Sequence, residues 1–328
     1  MTTYESPYLN TDFRWLRGNL HLHTCCGPYV DPAVSGEQYA QLGYHFMAIT
    51  DHDRCPEGTE WERWLATAPL LLIPGVERSV PEHILNIGVT TLEAHTGGDY
   101  GESARQLVRQ GGFVVGCHPQ EYNDGPDLIR RAASSLHALE IFNGLRKKRG
   151  CHEEANVVLW DELLTSGERI WAVATDDFHQ QYISSGNGWI TVQIPHEIGT
   201  VTWQDLVAQL KVGAFYASTG PAFESLLWDG EILDVTVSLP CSAIQVLGPE
   251  GRLLIKQHGA TMRWKAPAGL RYFRVEAIYD GSCAWSQPFI NPSTHCHRRV
   301  QGRTNWRSNT GSEQSPRGDS LKASPHKK

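Results

Sequence analysis

Over the first two thirds of the chain, short apolar runs alternate with amphipathic stretches. Residues 46–50, 70–76, 113–116, 139–142 and 170–174 are mostly apolar, Glu140 apart, and bounded by polar or glycine-bearing loops, the form of strands buried on both faces. Further strands are expected at 83–87, 189–194 and 214–218. Helical spacing of apolar residues appears between them, at 61–67, 102–110, 126–134, 153–165 and 202–212. Gly43, Gly111 and Gly167 stand where helices are expected to stop. Ser35-Gly36-Glu37-Gln38 has the form of a capping box, and Asp124 and Thr202 are expected N-caps. Strands alternating with helices in this way predict a parallel α/β domain.

Near residue 222 the period changes to two. Segments at 233–237, 242–247, 252–255, 261–264, 272–278 and 285–290 alternate apolar and polar residues, separated by turns such as Gly248-Pro249 and Asp280-Gly281. This predicts a small antiparallel, sandwich-like β domain. From Pro292 the chain is rich in Ser, Thr, Arg, Lys and Gly and almost free of apolar residues, so a disordered tail is expected. The expected organisation is therefore an α/β barrel at 1–221, a β domain at 222–291 and a tail at 292–328.

Composition narrows the function classes. The 328 residues are 40% hydrophobic and 20% charged, as in a globular protein, with a formal net charge of -7. That charge argues against coating nucleic acid and leaves nucleic acid only as a substrate. No apolar run is long enough to span a bilayer. The first ten residues lack the form of a signal peptide. Eight cysteines are scattered without a Cys-x-x-Cys pair, which suits free thiols and a cytoplasmic setting. Cys25 and Cys26 are expected to be small buried packing residues.

The chemistry gathers where apolar runs end. His21 and His23 are two apart on an expected strand, so both rings project to one face. His52 follows the run at 46–50, Glu77 ends that at 70–76, and His83 opens the next. His118 follows 113–116, and Asp177 and His179 follow 170–174. Any one of these could cap a strand or fill a turn. Eight such residues at successive strand ends of one α/β domain point to metal, and chemistry at strand ends is what an α/β barrel provides. Six imidazoles and two carboxylates suit Zn, Mn or Fe over Ca or Mg. Eight ligands exceed what one zinc takes, so two or three divalent ions are expected.

The motifs His21-Leu22-His23, Thr50-Asp51-His52-Asp53, Gly75-Val76-Glu77 with His83, Cys117-His118-Pro119 and Asp177-Phe178-His179 together resemble the PHP (polymerase and histidinol phosphatase) superfamily. Leu139-Glu140-Ile141-Phe142-Asn143-Gly144, Leu159-Trp160-Asp161 and Phe215-Tyr216-Ala217-Ser218-Thr219-Gly220-Pro221 are similar to its CehA/McbA-like branch. The resemblance implies a distorted (β/α)7 barrel and a hydrolase, usually of phosphate esters.

It implies further that His21, His23, Glu77 and Asp177 hold one ion, and Glu77, His83 and His118 a second. His52 and His179 would serve a third ion or face the substrate. Asp51, His52 and His179 are the candidate catalytic residues, with Asp51, Asp53 and Asp176 as groups that orient imidazoles. Arg54, Arg78 and Asn143 are candidate contacts to a small anionic substrate, with Arg146 a further cation. Many family members carry a third-metal ligand where this chain has Pro28 and Tyr29; Asp31 lies two residues further on. The leading expectation is a phosphoesterase using metal-activated water. Hydrolysis of amide, carbamate or carboxylic ester bonds is the alternative, and an inactive barrel serving as a scaffold is a third.

Overall fold

The computed structural model describes residues 4–294 except 26–28, 96, 123, 149–153, 181 and 184. The tail beyond Thr294 and Cys26 lie outside the described residues. In chain order the elements are β1 (Phe13–Asn19), α1 (Pro32–Gln41), β2 (Phe46–Ile49), α2 (Gly58–Thr67), β3 (Leu71–Arg78), β4 (Ile84–Ile87), α3 (Tyr100–Arg109) and β5 (Phe113–Gly116). Then come α4 (Gly125–Ala132), β6 (Ala138–Asn143), α5 (Gly144–Lys148), α6 (Glu154–Ser166), β7 (Trp171–Thr175), β8 (Trp189–Pro195), α7 (Trp203–Val212) and β9 (Phe215–Ser218). The chain continues with β10 (Phe223–Trp228), β11 (Ile232–Leu247), β12 (Leu253–Lys265), β13 (Tyr272–Tyr279), β14 (Ser282–Ser286) and β15 (Phe289–Ile290).

The fold is mixed α/β. Strands β1 to β7 lie side by side in chain order. β1, β2 and β3 are mutually parallel, as are β5, β6 and β7, while β4 runs antiparallel to both neighbours. No ladder joins β7 to β1 among the described residues. Instead their continuations meet in one bridge, Leu22 to Phe178, where Phe178 N–H donates to His21 O (3.1 Å) and His23 N–H to Phe178 O (3.0 Å). The expected seven-strand curl is thus drawn together at the end where both chains leave their strands. Gly18 sits just before that point because β1 pairs there with Phe46, whose ring lies 2.2 Å from where a Cβ would stand.

On the other side of β1 the sheet turns antiparallel, through β8, β9, β14, β13, β11 and β10. The expected pairs at 233–237 with 242–247, and 252–255 with 261–264, are each one long strand, β11 and β12. Register shifts between Thr236 and Ile244 absorb the irregular stretch that reads as a break in sequence. The expected strand at 285–290 is instead two pieces, β14 and β15.

Two helix starts differ from expectation. α1 begins at Pro32 and is capped by Asp31, whose carboxylate accepts from Ala33 N–H at 2.9 Å, with proline at the first helical position. Ser35 is buried inside that helix. Asp124 stands at the start of α4 without a side-chain cap bond. Thr202 caps α7 as expected, in a full capping box with Asp205, and Gly213 ends it at φ 79°.

Candidate metal centre

Each candidate ligand reaches the centre because of where its strand ends. His21 and His23 follow β1, His52 follows β2, Glu77 lies near the end of β3 and His118 follows β5. Asp177 and His179 follow β7. His83 joins them from the opposite chain direction. β4 is antiparallel, so its first residue, Ile84, pairs with Arg78 at the end of β3 and with Gly116 at the end of β5. All eight predicted ligands therefore share one rim.

Glu77, 1% exposed, stands at the middle. Its Oε2 lies 3.2 Å from His21 Nε2, 3.1 Å from His23 Nε2 and 3.2 Å from His52 Nδ1. Its Oε1 lies 2.9 Å from His83 Nδ1 and 3.3 Å from His118 Nε2. Asp177 Oδ1 lies 3.4 Å from His21 Nε2 and 3.3 Å from His23 Nε2. His23, His52 and His179 form a further convergent group.

The donor geometry fits cations better than hydrogen bonds. His21 Nε2, Glu77 Oε2 and His83 Nδ1 are buried and make no hydrogen bond, although each has a polar atom within 3.2 Å. The atoms aim at a shared point and not at one another. Ligands at ~2.1 Å from a tetrahedral ion stand ~3.4 Å apart, close to the separations of the His21, His23, Glu77 and Asp177 group. Buried polar atoms left without partners are rare, and metal is one accepted reason for them.

Electrostatics points the same way. Burial disfavours a charged His21, yet the carboxylates of Asp177, Glu77 and Glu140 outweigh it and push its ring up to about 10. His118 is raised to about 9, with burial opposed by Glu121 and Glu77. Burial alone would raise Glu77 and Asp177; imidazoles, His21 foremost, hold both well below the usual carboxylate range. The metal-free centre therefore carries protons where cations would bind, so binding a divalent ion releases them.

The other predicted residues take separate places. Asp51 is 2% exposed, and its carboxylate accepts from Thr24 N–H (2.6 Å), Thr24 O–H (2.5 Å) and Cys25 N–H (3.2 Å), tying down the loop after the histidine pair. Cys25 is exposed and not the buried packing residue expected. Asp53 accepts from Ser79 N–H at 2.9 Å, and the Ser79 hydroxyl lies 3.0 Å from His52 Nδ1. Asp176 accepts from Tyr39 O–H (2.7 Å) and from the N–H groups of Gly186, Asn187 and Gly188, which anchors the stretch before β8. Asp31 is occupied in capping α1.

Arg54 pairs with Glu60. Arg78 is buried and bound to Gln106 (2.8 Å) and the Glu93 carbonyl (2.7 Å). Arg146 lies nearer the centre, 2.6 Å from Glu121 and 3.6 Å from Asp177. Asn143 donates to both Glu140 (2.8 Å) and Asp177 (3.2 Å).

Two acidic residues went unassigned in sequence. Glu140, fully buried in β6, lies 3.0 Å from His21 Nδ1. Glu121 lies 2.9 Å from His118 Nδ1. Carboxylates behind metal-binding imidazoles fix the ring and its tautomer. A glutamate in the middle of an otherwise apolar strand was the available signal for Glu140; nothing in the sequence marks Glu121.

No family model matches the chain, and no curated protein matches it at significance. Among solved structures, it is similar to a two-domain protein from Bacteroides vulgatus containing a predicted PHP-like metal-dependent phosphoesterase, at 14% identity, covering 88% of this chain and 97% of that one, with a TM-score of 0.48. It is also similar to an amidohydrolase from Chromobacterium violaceum solved with sulfate and no metal, at 16% identity over 58% of this chain and 96% of that one, TM-score 0.41. A third is a candidate metal-dependent phosphoesterase from Bifidobacterium adolescentis, at 15% identity over 51% of this chain and 88% of that one, TM-score 0.37.

Proposed function

We propose that this protein is a metal-dependent hydrolase of the PHP type whose substrate is a phosphate ester. The observation that carries the reading is the convergence of five imidazoles on Glu77, two of which also face Asp177, with buried ligand atoms that make no hydrogen bond. His21, His23, Glu77 and Asp177 would hold one divalent ion, and Glu77, His83 and His118 a second. His52 and His179 lie beside His23 and would serve a third ion or the substrate. Such ions lower the pKa of bound water and offset charge on an attacked phosphate.

The chain's own residues prepare that chemistry. Glu77 offers one oxygen to each group of imidazoles and so suits a bridging position. Asn143 holds Asp177 Oδ2, which leaves Oδ1 facing the histidines. The side chains of His52 and His83 are 30% and 22% exposed, against 0% and 1% for His21 and His23, so the former pair borders the opening through which a substrate must enter. Arg54 and Arg78 are engaged elsewhere and Asn143 is buried between Glu140 and Asp177, so we assign Arg146, the arginine nearest the centre, to the anionic substrate.

The test is a panel of phosphate monoesters, diesters, nucleotides and carbamates, run on protein loaded in turn with Zn2+, Mn2+ and Fe2+. Metal-dependent turnover of a phosphate ester supports the reading. Turnover confined to carbamates or amides would reassign the bond cleaved. No uptake of any of the three ions would overturn the reading.

A further inference from the structure

We infer that Glu140 is the positioning residue of the centre, setting the tautomer of His21 and linking the two proposed half-sites. The inference rests on the metal reading above. Glu140 belongs to none of the convergent ligand groups and stands behind them. One oxygen, Oε1, accepts from His21 Nδ1–H (3.0 Å) and from the Thr175 hydroxyl. The other, Oε2, accepts from His118 N–H and from Asn143 Nδ2–H, both at 2.8 Å. The Asn143 amide continues to Asp177 Oδ2 at 3.2 Å. One carboxylate therefore fixes a ligand ring of the first group, the backbone of a ligand of the second, and, through Asn143, the carboxylate that completes the first.

Two of these ligands need fixing. His118 and Asp177 adopt φ values of 23° and 51°, a region that L-residues other than glycine enter only when surroundings hold them there. The hydrogen bonds to Glu140 and Asn143 are the hold. His21 needs a different constraint. A neutral imidazole offers its lone pair on one nitrogen only, so Nε2 can ligate only if the proton sits on Nδ1. An ionised carboxylate, which can only accept, enforces that arrangement at 3.0 Å.

The argument yields a discriminating variant. Glutamine at position 140 keeps the shape of glutamate but has one acceptor oxygen and one NH2 group. The peptide N–H of His118 and the NH2 of Asn143 can only donate, so the glutamine oxygen must turn toward them. Its NH2 then faces His21 Nδ1 and the Thr175 hydroxyl, which can both accept. Every hydrogen bond survives, but His21 is driven to the tautomer with its proton on Nε2, where the metal lone pair is required.

The experiment is Zn2+ binding to wild type, Glu140→Gln and Thr175→Val by competition with a chromophoric chelator, together with melting of each protein with and without Zn2+. Metal-free Glu140→Gln should fold, by circular dichroism, and melt below metal-free wild type, because the protonated His21 ring loses one of its three buried carboxylates. Its affinity for one Zn2+ per chain should fall ~10–100-fold, the usual cost of losing such a support, and its Zn2+-induced rise in Tm should shrink accordingly. Thr175→Val, which removes another donor from the same oxygen, should bind Zn2+ like wild type. A second measurement needs no variant: imidazole 15N shifts of Zn2+-loaded wild type should show His21 protonated at Nδ1 and coordinated through Nε2. Wild-type affinity in Glu140→Gln, or coordination through Nδ1, overturns the inference alone. Failure of wild type to bind Zn2+, Mn2+ or Fe2+ overturns the metal reading and this inference together.

Discussion

Replacing Asp161 by Asn tests how the antiparallel strands are fastened to the rest of the molecule. Asp161 lies in α6 and receives two hydrogen bonds from Arg274 of β13, from Nε (2.8 Å) and Nη2 (2.7 Å), and a third from the Tyr272 hydroxyl at 2.8 Å. Arg274 is 1% exposed; its remaining charged partner is Glu276, at 2.6 Å. Asparagine keeps the volume, removes the charge and turns an NH2 toward the guanidinium. Breaking a fully buried ion pair costs ~3–5 kcal/mol, and the surviving Glu276 contact places this case near the lower end, ~3 kcal/mol. For a unit of this size, spanning Met1–Cys296, an unfolding entropy of ~2.1 cal/mol/K per residue amounts to ~0.6 kcal/mol/K. The expected fall in Tm is therefore ~5 °C, read by calorimetry or circular dichroism. Adding Arg274→Met to Asp161→Asn should restore part of the loss, because no unpaired buried cation remains. Zn2+ affinity well below either midpoint should not change, since neither residue touches the centre. A fall below ~1 °C, or a double variant no better than the single one, would refute the reasoning.

Three further outcomes are expected. Glu77→Gln and Asp177→Asn should each fold, by circular dichroism, yet lose at least one tightly bound ion and the associated turnover, because each removes a negative charge that offsets clustered cations; full metal content in Glu77→Gln would refute its bridging position. His137, pushed down to about 4 by burial and by Lys211, is held neutral while accepting from Val114 N–H at 3.0 Å. A depressed histidine contributes its full stability above its unfolded value of 6.5 and loses it as pH falls toward 4. His137→Asn should therefore flatten the acid side of the stability profile by at most ~3 kcal/mol in urea titrations, and an unchanged pH dependence would refute this. Removing the residues after Thr294 should leave Tm and metal uptake unaltered. The cut belongs there and not after Asn291, because the Thr294 carbonyl accepts from Arg271 at 2.5 Å; a fall of several degrees would show that the tail docks.

The rim was legible because one pattern, an apolar run ending in His, Glu or Asp, is local and repeats. His83 is the exception to that pattern: it precedes its strand, and the antiparallel course of β4 brings it to the shared end. The long strand β11 reads as two short ones because the bulges at Thr236–Ile244 break the period of two while hydrogen bonding persists around them. At the start of α1 two plausible caps, Asp31 and Ser35, compete, and proline at position 32 favours the earlier. What sequence could not show is the layer behind the ligands. Glu121 sits in a loop with no periodicity, and its role exists only once β5 and the following turn bring it against the far nitrogen of His118.

That layer explains why this chain places so much charge at zero exposure. Glu77, Glu140 and Asp177 are three buried carboxylates around His21 alone, an arrangement whose desolvation cost no single ion pair recovers. A core selected for stability would replace it with apolar residues of similar volume. Its members divide cleanly instead. Glu77 and Asp177 turn oxygens inward among imidazoles that point at a common centre, whereas Glu140 turns both oxygens outward to donors that fix those same ligands. Glu77 Oε2, inward and without a hydrogen bond, is left for a cation, whereas the two oxygens of Glu140 have four donors and need none. The fold thus separates the carboxylates that would meet the metal from the one that prepares the others to do so, a division of labour that a purely structural cluster has no cause to make.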